Sequence, residues 1–571
     1  MYFLRRTATQ YPFELKSLLT FGKMKTRKRR YGVRRAVGTL WYNGKIYTMN
    51  DESESVEAVV THNGRIKAVG TKKEMKNKWN ETITTYVDLK GGVVFPGFVD
   101  SHLHMIGYGE SMLRLDLSQL KSADDMKKAL LEKARELKRG QWLLGEGWNE
   151  NNFPDRKIFH RQELDEIAPD NPVVLTRVCR HAILANSKAL ELGQVTAETE
   201  NPSGGVIVRD NDGEATGYLL DAAQELVREA VPEVTDEYLE EALTAALDDM
   251  VKKGLVGGHT EDLNYYGGFA QTFDTFTKVI DGKKRKFRAH LLVHHEVVED
   301  MKNKGFTYGE VNEYLSFGGM KIFADGALGG RTALLRQPYN DAPETSGVAM
   351  HTRDELKELV KKARSFEMPV AIHTIGDLAL EYAIEAVEEY PAPPRTMDRF
   401  IHLQIAPSDL RERLKSLPVA LDIQPRFVAS DFPWVEERLG TWRLPYSFAW
   451  KTLLKEGLNC AGGSDAPIEP VDPLLGIHAA VTRKSPGEDH EGYMPEQKLT
   501  PFEAVSLFTT GSAKAIGKEE TYGKILPGYA ADFTVLDKDI LTAQPDEILT
   551  ASVLQTVIDE TIVYQKEEEE D

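Results

Sequence analysis

Two histidines that are one residue apart, His102 and His104, follow an apolar run in residues 93–105, VVFPGFVDSHLHM. Side chains alternate along a β-strand, so residues two apart point to the same face. The pair can therefore hold one metal ion from one side, at the carboxyl end of a buried strand. Zinc sites need further nitrogen and oxygen ligands, which the rest of the chain must supply.

Further candidate ligands lie at the ends of later apolar runs, in a region where strand and helix patterns alternate. Such alternation indicates parallel βα units, and the eight runs found here match the number that closes a (β/α)8 barrel. The carboxyl ends of barrel strands meet at one face. A single histidine is more often a core residue, but the joint pattern predicts a metal site. The candidate ligands are His102, His104, Lys321, His373, His402 and Asp465.

The sequence supports a site role less strongly for other histidines and polar residues near these runs. His259, His294 and His295 lie on expected barrel strands and are interpreted as core or pocket-lining groups. Lys321 can alternatively form a salt bridge with Asp325. Arg331, in the loop after the fourth run, can pair with an anionic substrate group or with Asp325.

A long segment, residues 107–232, separates the first and second runs and predicts an insertion subdomain within a barrel domain of residues 95–525. Placed after the first strand, it would cover the barrel mouth and contribute to substrate specificity. Trp148 and Asn149 of this segment can line that mouth or pack inside the subdomain. The substrate-binding candidates are thus Arg331, Asp325, Trp148 and Asn149.

Both ends of the expected barrel carry short strand patterns. Residues 38–94 contain Asn43-Gly44 and Asn63-Gly64 between alternating apolar runs, which predicts two β-hairpins. These strands cannot cover their own apolar faces, and residues 526–566 are again strand-like. We therefore expect one small β-sandwich domain built from both chain ends. The fold class is predicted as α/β, a distorted TIM (β/α)8 barrel flanked by this sandwich.

The composition limits the possible partners. The chain has 571 residues and a formal charge of -18, which argues against nucleic acid as a partner because phosphate binding needs a basic face. No apolar run is long enough to cross a membrane, so a soluble protein is expected, with a homodimer as one option; the small number of cysteines suits a reducing cytoplasm. The two cysteines, Cys179 and Cys460, are expected to be buried thiols.

The first 37 residues are basic and almost free of acidic residues. They are either a transit peptide or a disordered upstream extension outside the native fold, with Met24 as an alternative start. We favour the extension.

Several segments together resemble the amidohydrolase superfamily. PGFVDSHLH, with a strand-end lysine, two single histidines and a Ser-Asp pair, is similar to the superfamily pattern. GWNENNFPD, KIFADGALGGRTALL, IHTIGDLAL and GGSDAPIEPVDPL resemble its amidohydrolase 3 branch, the YtcJ-like group that includes N-substituted formamide deformylases. The resemblance extends over about residues 38–563 and implies a metal-bearing distorted TIM barrel with a flanking β-sandwich.

The resemblance also implies roles. His102, His104 and Asp465 would hold the more buried of one or two zinc ions, and His373 with His402 the more exposed one. Lys321 would be carbamylated and bridge them. Metal-activated hydroxide would hydrolyse a non-peptide C–N bond of a small amide, with Asp465 as the catalytic proton shuttle. Two alternatives stay open: a cyclic amide or imide hydrolase or deaminase, and a non-catalytic metal-binding regulatory barrel.

Overall fold

The computed structural model describes residues 38–177, 182–202, 205–232 and 234–567. The predicted N-terminal extension and Cys179 lie outside these residues. Among the residues described, no helix combines the length and apolar character needed to cross a bilayer. Cys460 is a buried free thiol, as expected.

The chain begins with a sheet in which β1 is central. This strand pairs with β2 in antiparallel fashion and with β4 and β5 in parallel. The hairpin predicted at Asn63-Gly64 is confirmed, because His62 pairs with Arg65 across it. The elements are β1 (Gly38–Tyr47), β2 (Ser55–His62), β3 (Arg65–Gly70), α1 (Lys72–Trp79), β4 (Ile83–Asp88) and β5 (Val93–Pro96).

The hairpin predicted at Asn43-Gly44 is wrong, because both residues lie inside β1. The register with β2 shifts between Tyr42 and Ile46, so the dipeptide forms a bulge. Asn43 has a φ of 63°, the left-handed conformation that Asn tolerates in a bulge as well as in a turn. The local signal was therefore correct about backbone conformation and wrong about chain reversal.

The first barrel strand is followed by the insertion, which has its own six-stranded sheet in the order β11-β12-β10-β9-β8-β7. The insertion sheet begins at Leu115, after a helix that starts at Met105. The elements are β6 (Phe98–Leu103), α2 (Met105–Leu113), β7 (Leu115–Asp116), α3 (Ala123–Glu136), β8 (Leu143–Trp148), α4 (Arg161–Ile167), β9 (Val173–Arg177), β10 (Ala182–Ala185), α5 (Ser187–Leu192), β11 (Gly205–Arg209), β12 (Ala215–Asp221) and α6 (Glu225–Arg228).

Strands and helices then alternate through the rest of the barrel. Two of these helices, which begin after Thr235 and Thr352, are capped at their first turns by hydrogen bonds to the side chains of those residues. The elements are α7 (Asp236–Lys252), β13 (Leu255–Thr260), α8 (Gly268–Val279), β14 (Arg288–His294), α9 (Val298–Asn303), β15 (Gly309–Glu310), β16 (Leu315–Phe323), α10 (Arg353–Ser365), β17 (Val370–Thr374), α11 (Asp377–Glu389), β18 (Asp398–His402), α12 (Ser408–Leu414), β19 (Val419–Ile423), α13 (Pro425–Asp431), α14 (Trp434–Leu439), α15 (Trp450–Lys455), β20 (Asn459–Gly462), α16 (Pro473–Thr482), α17 (Pro501–Ser506) and α18 (Ser512–Ala515).

Eight parallel strands form the barrel in the order β6-β13-β14-β16-β17-β18-β19-β20. The seam between β20 and β6 is joined by loop hydrogen bonds: the Asp465 amide donates to the His102 carbonyl (2.7 Å) and the His104 amide donates to the Ala466 carbonyl (2.8 Å). Gly463 makes this approach feasible, since a Cβ there would lie 2.6 Å from the His102 nitrogen. The seam therefore brings the first and last strand ends together.

The C-terminal strands β21 (Phe533–Leu536), β22 (Val553–Ile558) and β23 (Thr561–Gln565) return to the first sheet, where β21 pairs with β5. The result is one eight-stranded sheet built from both chain ends, in the order β23-β22-β21-β5-β1-β2-β3 with β4 paired to β1 beside this path. Its two faces belong to different apolar clusters, because Leu40 and Val60 pack on one side and Trp41 and Val59 on the other. The predicted fold class is confirmed.

Candidate metal centre

Three of the predicted ligands form a compact group at the barrel seam. His102 lies near the end of β6, His104 follows that strand, and Asp465 lies in the loop after β20. The Nε2 atoms of both histidines lie 3.5 Å from Oδ1 of Asp465. One ligand atom from each residue lies within 4.8 Å of the others. This is the set that the resemblance assigns to the more buried metal.

The two single histidines lie beside this group. The ring centroids of His373 and His402 are 4.5 Å apart, and those of His402 and His102 are 5.6 Å apart. One ring nitrogen of each histidine contacts a residue outside the ligand set: His402 Nδ1 is 2.8 Å from Oε1 of Gln424, and His373 Nε2 is 3.0 Å from the Gly326 carbonyl. Such contacts fix a ring's orientation and tautomer.

Lys321 is fully buried on β16, and its partner is a residue that the sequence analysis missed. Its Nζ lies 3.9 Å from Oε2 of Glu261, just after β13. Glu261 is also fully buried, and its Oε2 accepts the Tyr265 hydroxyl (2.7 Å). The alternative salt bridge of Lys321 with Asp325 is therefore replaced by one with Glu261. The available signal was the position of Glu261 at a strand's carboxyl end.

Buried groups outside the ligand set position the histidines. His104 Nδ1 donates to the Glu261 carbonyl (2.6 Å). The Asp100 carboxylate accepts the His102 amide (3.0 Å) and the Ser464 hydroxyl (2.6 Å). Asp100 thus ties the strand that carries both histidines to the loop that carries Asp465.

The environment sets the protonation of these groups. Burial lowers the pKa of His102 well below its ordinary value, and it lowers that of His402 to about 4. Burial alone would also lower the pKa of His104, but the adjacent Asp465 carboxylate raises it to about 9. For Asp465, burial opposes ionisation, yet the hydrogen bond from His104 and the nearby cations lower its pKa. Burial lowers the pKa of Lys321.

The donor set fits a divalent metal ion. His102 and His402 are neutral imidazoles and Asp465 is a carboxylate, which are the forms that bind metal, whereas His104, with its raised pKa, would release its proton when an ion binds. His102 Nδ1 has no hydrogen-bond partner within the described part of the chain. Imidazole and carboxylate donors at strand ends suit zinc and related first-row ions.

The four substrate-binding candidates are not brought together at this centre. Trp148 is fully buried in the insertion, where its indole donates to the Leu175 carbonyl (2.9 Å), so of the two positions expected for it the one inside the subdomain is observed. Asn149 caps a short helical turn next to it. Arg331 pairs with Asp341, at 2.8 Å, and not with Asp325.

Asp325 has a structural position beside the centre. Its buried carboxylate accepts the amides of Leu334 (2.9 Å), Ile375 (3.1 Å) and Gly376 (2.8 Å). It also lies 3.6 Å from Nε2 of His373. Asp325 thus holds the loop after β16 against the strand that carries His373.

Two of the weaker candidates lie near the carboxyl end of β14. The rings of His294 and His295 are 4.5 Å apart, and the His294 ring lies 6.3 Å from Tyr265 and 6.0 Å from Phe323. The Tyr265 ring is in turn 6.0 Å from His104. Burial lowers the pKa of His294 and of His295. These uncharged rings flank the metal centre on one side.

Comparison with known proteins identifies the family. The family model described as "Amidohydrolase family" matches residues 85–564. The chain belongs to the amidohydrolase family. This amidohydrolase is 50% identical to the candidate amidohydrolase YtcJ of Bacillus subtilis (strain 168), over 92% of this chain and 99% of that protein. It is 27% identical to the N-substituted formamide deformylase of Arthrobacter pascens, over 92% of this chain and 98% of that protein.

A solved structure supports the same assignment. An uncharacterized metal-dependent hydrolase from Pyrococcus horikoshii OT3 superposes with a TM-score of 0.74 and 31% identity, covering 89% of this chain and 99% of that one. The amidohydrolase described here is therefore a hydrolase, and its His-His-Asp group is a candidate site for a divalent metal ion.

Proposed function

We propose that this amidohydrolase hydrolyses the C–N bond of a small non-peptide amide, such as an N-substituted formamide or another N-acyl amine. The observation that carries the proposal is the cluster of His102, His104 and Asp465 at the carboxyl face of an amidohydrolase-family barrel. The similarity along nearly the whole chain to a protein named N-substituted formamide deformylase supports the substrate class. We propose zinc as the metal, because the donors are imidazoles and a carboxylate.

The first ion would be held by His102, His104 and Asp465, and a second by His373 and His402. A bound divalent ion would polarise the substrate carbonyl and lower the pKa of water to about 7. Asp465, ionised because its pKa is low, accepts a proton from the attacking water. The water oxygen bonds to the acyl carbon, the C–N bond breaks, and Asp465 delivers the proton to the leaving nitrogen.

We further propose that Lys321 is carbamylated, in which case it would supply two anionic oxygens as metal ligands. Carbamate formation needs a neutral amine, because the nitrogen lone pair attacks carbon dioxide and the amine then releases a proton. The burial that lowers the pKa of Lys321 favours this neutral form. Glu261 opposes the carbamate because both groups are anionic, and the positive charge of a bound divalent ion would offset this repulsion.

The test combines metal and intact-mass analysis with a panel of formamides and N-acyl amines. We expect bound zinc, an added mass of one carbon dioxide that disappears in Lys321→Met, and release of an amine with a free acid. A single ring-opened product would instead identify a cyclic-amide hydrolase, and ammonia would identify a deaminase. A folded protein that takes up no zinc would refute the proposal.

A matched pair of variants locates the chemistry. Asp465→Asn should reduce amine release by about 10²- to 10⁴-fold, whereas Asp212→Asn should leave it unchanged, since Asp212 is an exposed turn residue of the insertion. Equal loss in both variants would show that the measured activity does not arise at this centre.

A further inference from the structure

A buried arginine joins three strands of the barrel below the metal centre. Arg399 lies on β18, the strand that ends at His402, and 3% of its side chain is exposed. Its Nε donates to Oδ2 of Asp422 on β19 (2.8 Å), and its Nη2 lies 2.7 Å from the same oxygen. Nη2 also donates to the Ser101 carbonyl on β6 (2.5 Å). One guanidinium thus links β18, β19 and β6.

This link spans the barrel interior. In the strand order, β19 and β20 lie between β18 and the seam with β6, so a side chain on β18 reaches the β6 backbone by crossing the enclosed space. The rings of His259, a core residue as expected, and His290 are 5.2 Å apart in this interior. Burial lowers the pKa of both imidazoles, which keeps them uncharged. The fully buried Asp422 carboxylate therefore balances the Arg399 charge.

The strand that receives this contact is β6, which lies at the seam. Within the described part of the chain, β6 forms a ladder with β13 alone, and the sheet path ends at β20 on the other side of the seam. The Ser101 hydroxyl is 2.8 Å from the Ser512 hydroxyl, and the Ser101 carbonyl accepts the Arg399 guanidinium. Side-chain contacts of this kind therefore restrain β6 where a ladder does not.

The peptide that Arg399 contacts belongs in part to a candidate metal ligand. Ser101 and His102 share this peptide, and its two polar groups are both bound: the carbonyl accepts Arg399, and the amide donates to the Asp100 carboxylate (3.0 Å). The strand that carries Arg399 ends at His402, whose ring lies 5.6 Å from that of His102. The guanidinium therefore connects the two strand ends that carry these imidazoles.

We propose that Arg399 is a positioning residue that sets the distance between His102 and His402 for metal binding. Its planar fork donates to the Asp422 carboxylate and to the Ser101 carbonyl at the same time, a geometry that the single ammonium group of a lysine does not reproduce. Contacts behind metal ligands typically change metal affinity by about 10- to 100-fold. The effect on zinc rests on the proposed function, but the link itself belongs to the metal-free chain.

Zinc titration of the chelator-treated full chain tests the proposal with a matched pair of variants. Arg399→Lys should weaken zinc binding by about 10- to 100-fold, because the charge is kept while the link to Ser101 is lost. Arg364→Lys is the control, since Arg364 pairs with Asp398 on the same strand (2.7 Å) and its side chain is 13% exposed. The control should bind zinc like the wild type. Wild-type affinity in Arg399→Lys, or an equal loss in both variants, would refute the positioning role.

Hydrogen exchange followed by mass spectrometry tests the link without metal. In the chelator-treated protein, Arg399→Lys should speed the exchange of amides in residues 98–104 by about tenfold, because this segment loses a charge-assisted hydrogen bond. Arg364→Lys should leave the exchange of this segment unchanged. Wild-type exchange in Arg399→Lys would refute the link. A wild type that bound no zinc would refute the proposed function, and the exchange measurement would still decide the link.

A second variant provides the same test if the lysine variant does not fold. Arg399→Met/Asp422→Asn removes both charges, so it leaves no buried charge unpaired and should fold. It should show the same faster exchange of residues 98–104 and the same weaker zinc binding. In the Co²⁺-substituted protein, both Arg399 variants should also shift the visible absorption bands, which depend on coordination geometry. Wild-type bands in both variants would contradict a change in ligand spacing.

Discussion

Replacing Lys321 by methionine tests the electrostatics of the candidate centre in the metal-free protein. The Lys321 amine and the Glu261 carboxylate are 3.9 Å apart and both side chains are almost fully excluded from solvent. At an effective dielectric constant of about 20, this separation corresponds to an attraction of roughly 4 kcal/mol. Removing one partner of a buried pair leaves an uncompensated charge and costs about 3 to 5 kcal/mol. Lys321→Met should therefore lower the free energy of unfolding by about that amount.

The double variant Lys321→Met/Glu261→Gln should recover most of this loss, because it removes the stranded charge and keeps an acceptor for the Tyr265 hydroxyl. A double-mutant cycle measures this recovery. Urea denaturation gives the free energy of unfolding of the chelator-treated wild type, of both single variants and of the double variant. We expect a favourable coupling energy of about 2 to 4 kcal/mol. A coupling below about 0.5 kcal/mol, the error expected for independent sites, would refute the direct pairing of Lys321 with Glu261.

Three further predictions concern the proton shuttle, the barrel core and the insertion. Asp465→Asn should retain part of the bound metal and lose about 10²- to 10⁴-fold in turnover, measured by metal analysis and amine release; retained turnover would exclude the shuttle role. Because burial lowers the pKa of His290 to about 3 in the folded protein, the unfolded chain takes up this proton first on acidification. The free energy of unfolding should therefore fall by about 2 kcal/mol between a pH above 6.5 and pH 5. His290→Gln should reduce this loss, as measured by urea titration at those two pH values. Trp148→Ala should destabilise the insertion by about 3 to 5 kcal/mol and hasten its limited proteolysis without changing metal content; loss of metal would contradict its place in the insertion core.

The barrel was predictable because each of its strands leaves a recognisable pattern in the sequence. Parallel strands buried on both faces are continuous apolar runs, and β13 and β19 are buried at every position. Asn43-Gly44 failed because the same left-handed backbone serves a bulge as well as a hairpin, and the choice depends on strand partners far along the chain.

The site was predictable only in part. Histidines at strand ends are conspicuous because few other residue types bind zinc, but a glutamate at a strand end is common on any protein surface. Glu261 differs from such surface glutamates because it contacts the Tyr265 hydroxyl and the Lys321 amine, and both contacts arise from tertiary packing. Trp148 shows the converse ambiguity: an aromatic residue in a loop-like stretch closes a subdomain core as readily as it lines a mouth, and only the tertiary fold decides between the two positions expected for it.

The backbone at the centre shows why the strand ends converge there. His402 and Asp465 adopt φ values of 76° and 60°, in the left-handed region that non-glycine residues seldom occupy. Such conformations cost of order 1 to 3 kcal/mol each and persist only where surrounding contacts impose them. The contacts are present: the Asp465 amide donates to the His102 carbonyl (2.7 Å) and the amide after His402 donates to the Thr374 carbonyl (3.0 Å). The turns aim a carboxylate and an imidazole at the same point as the β6 histidines, and the barrel's hydrogen bonds offset the strain.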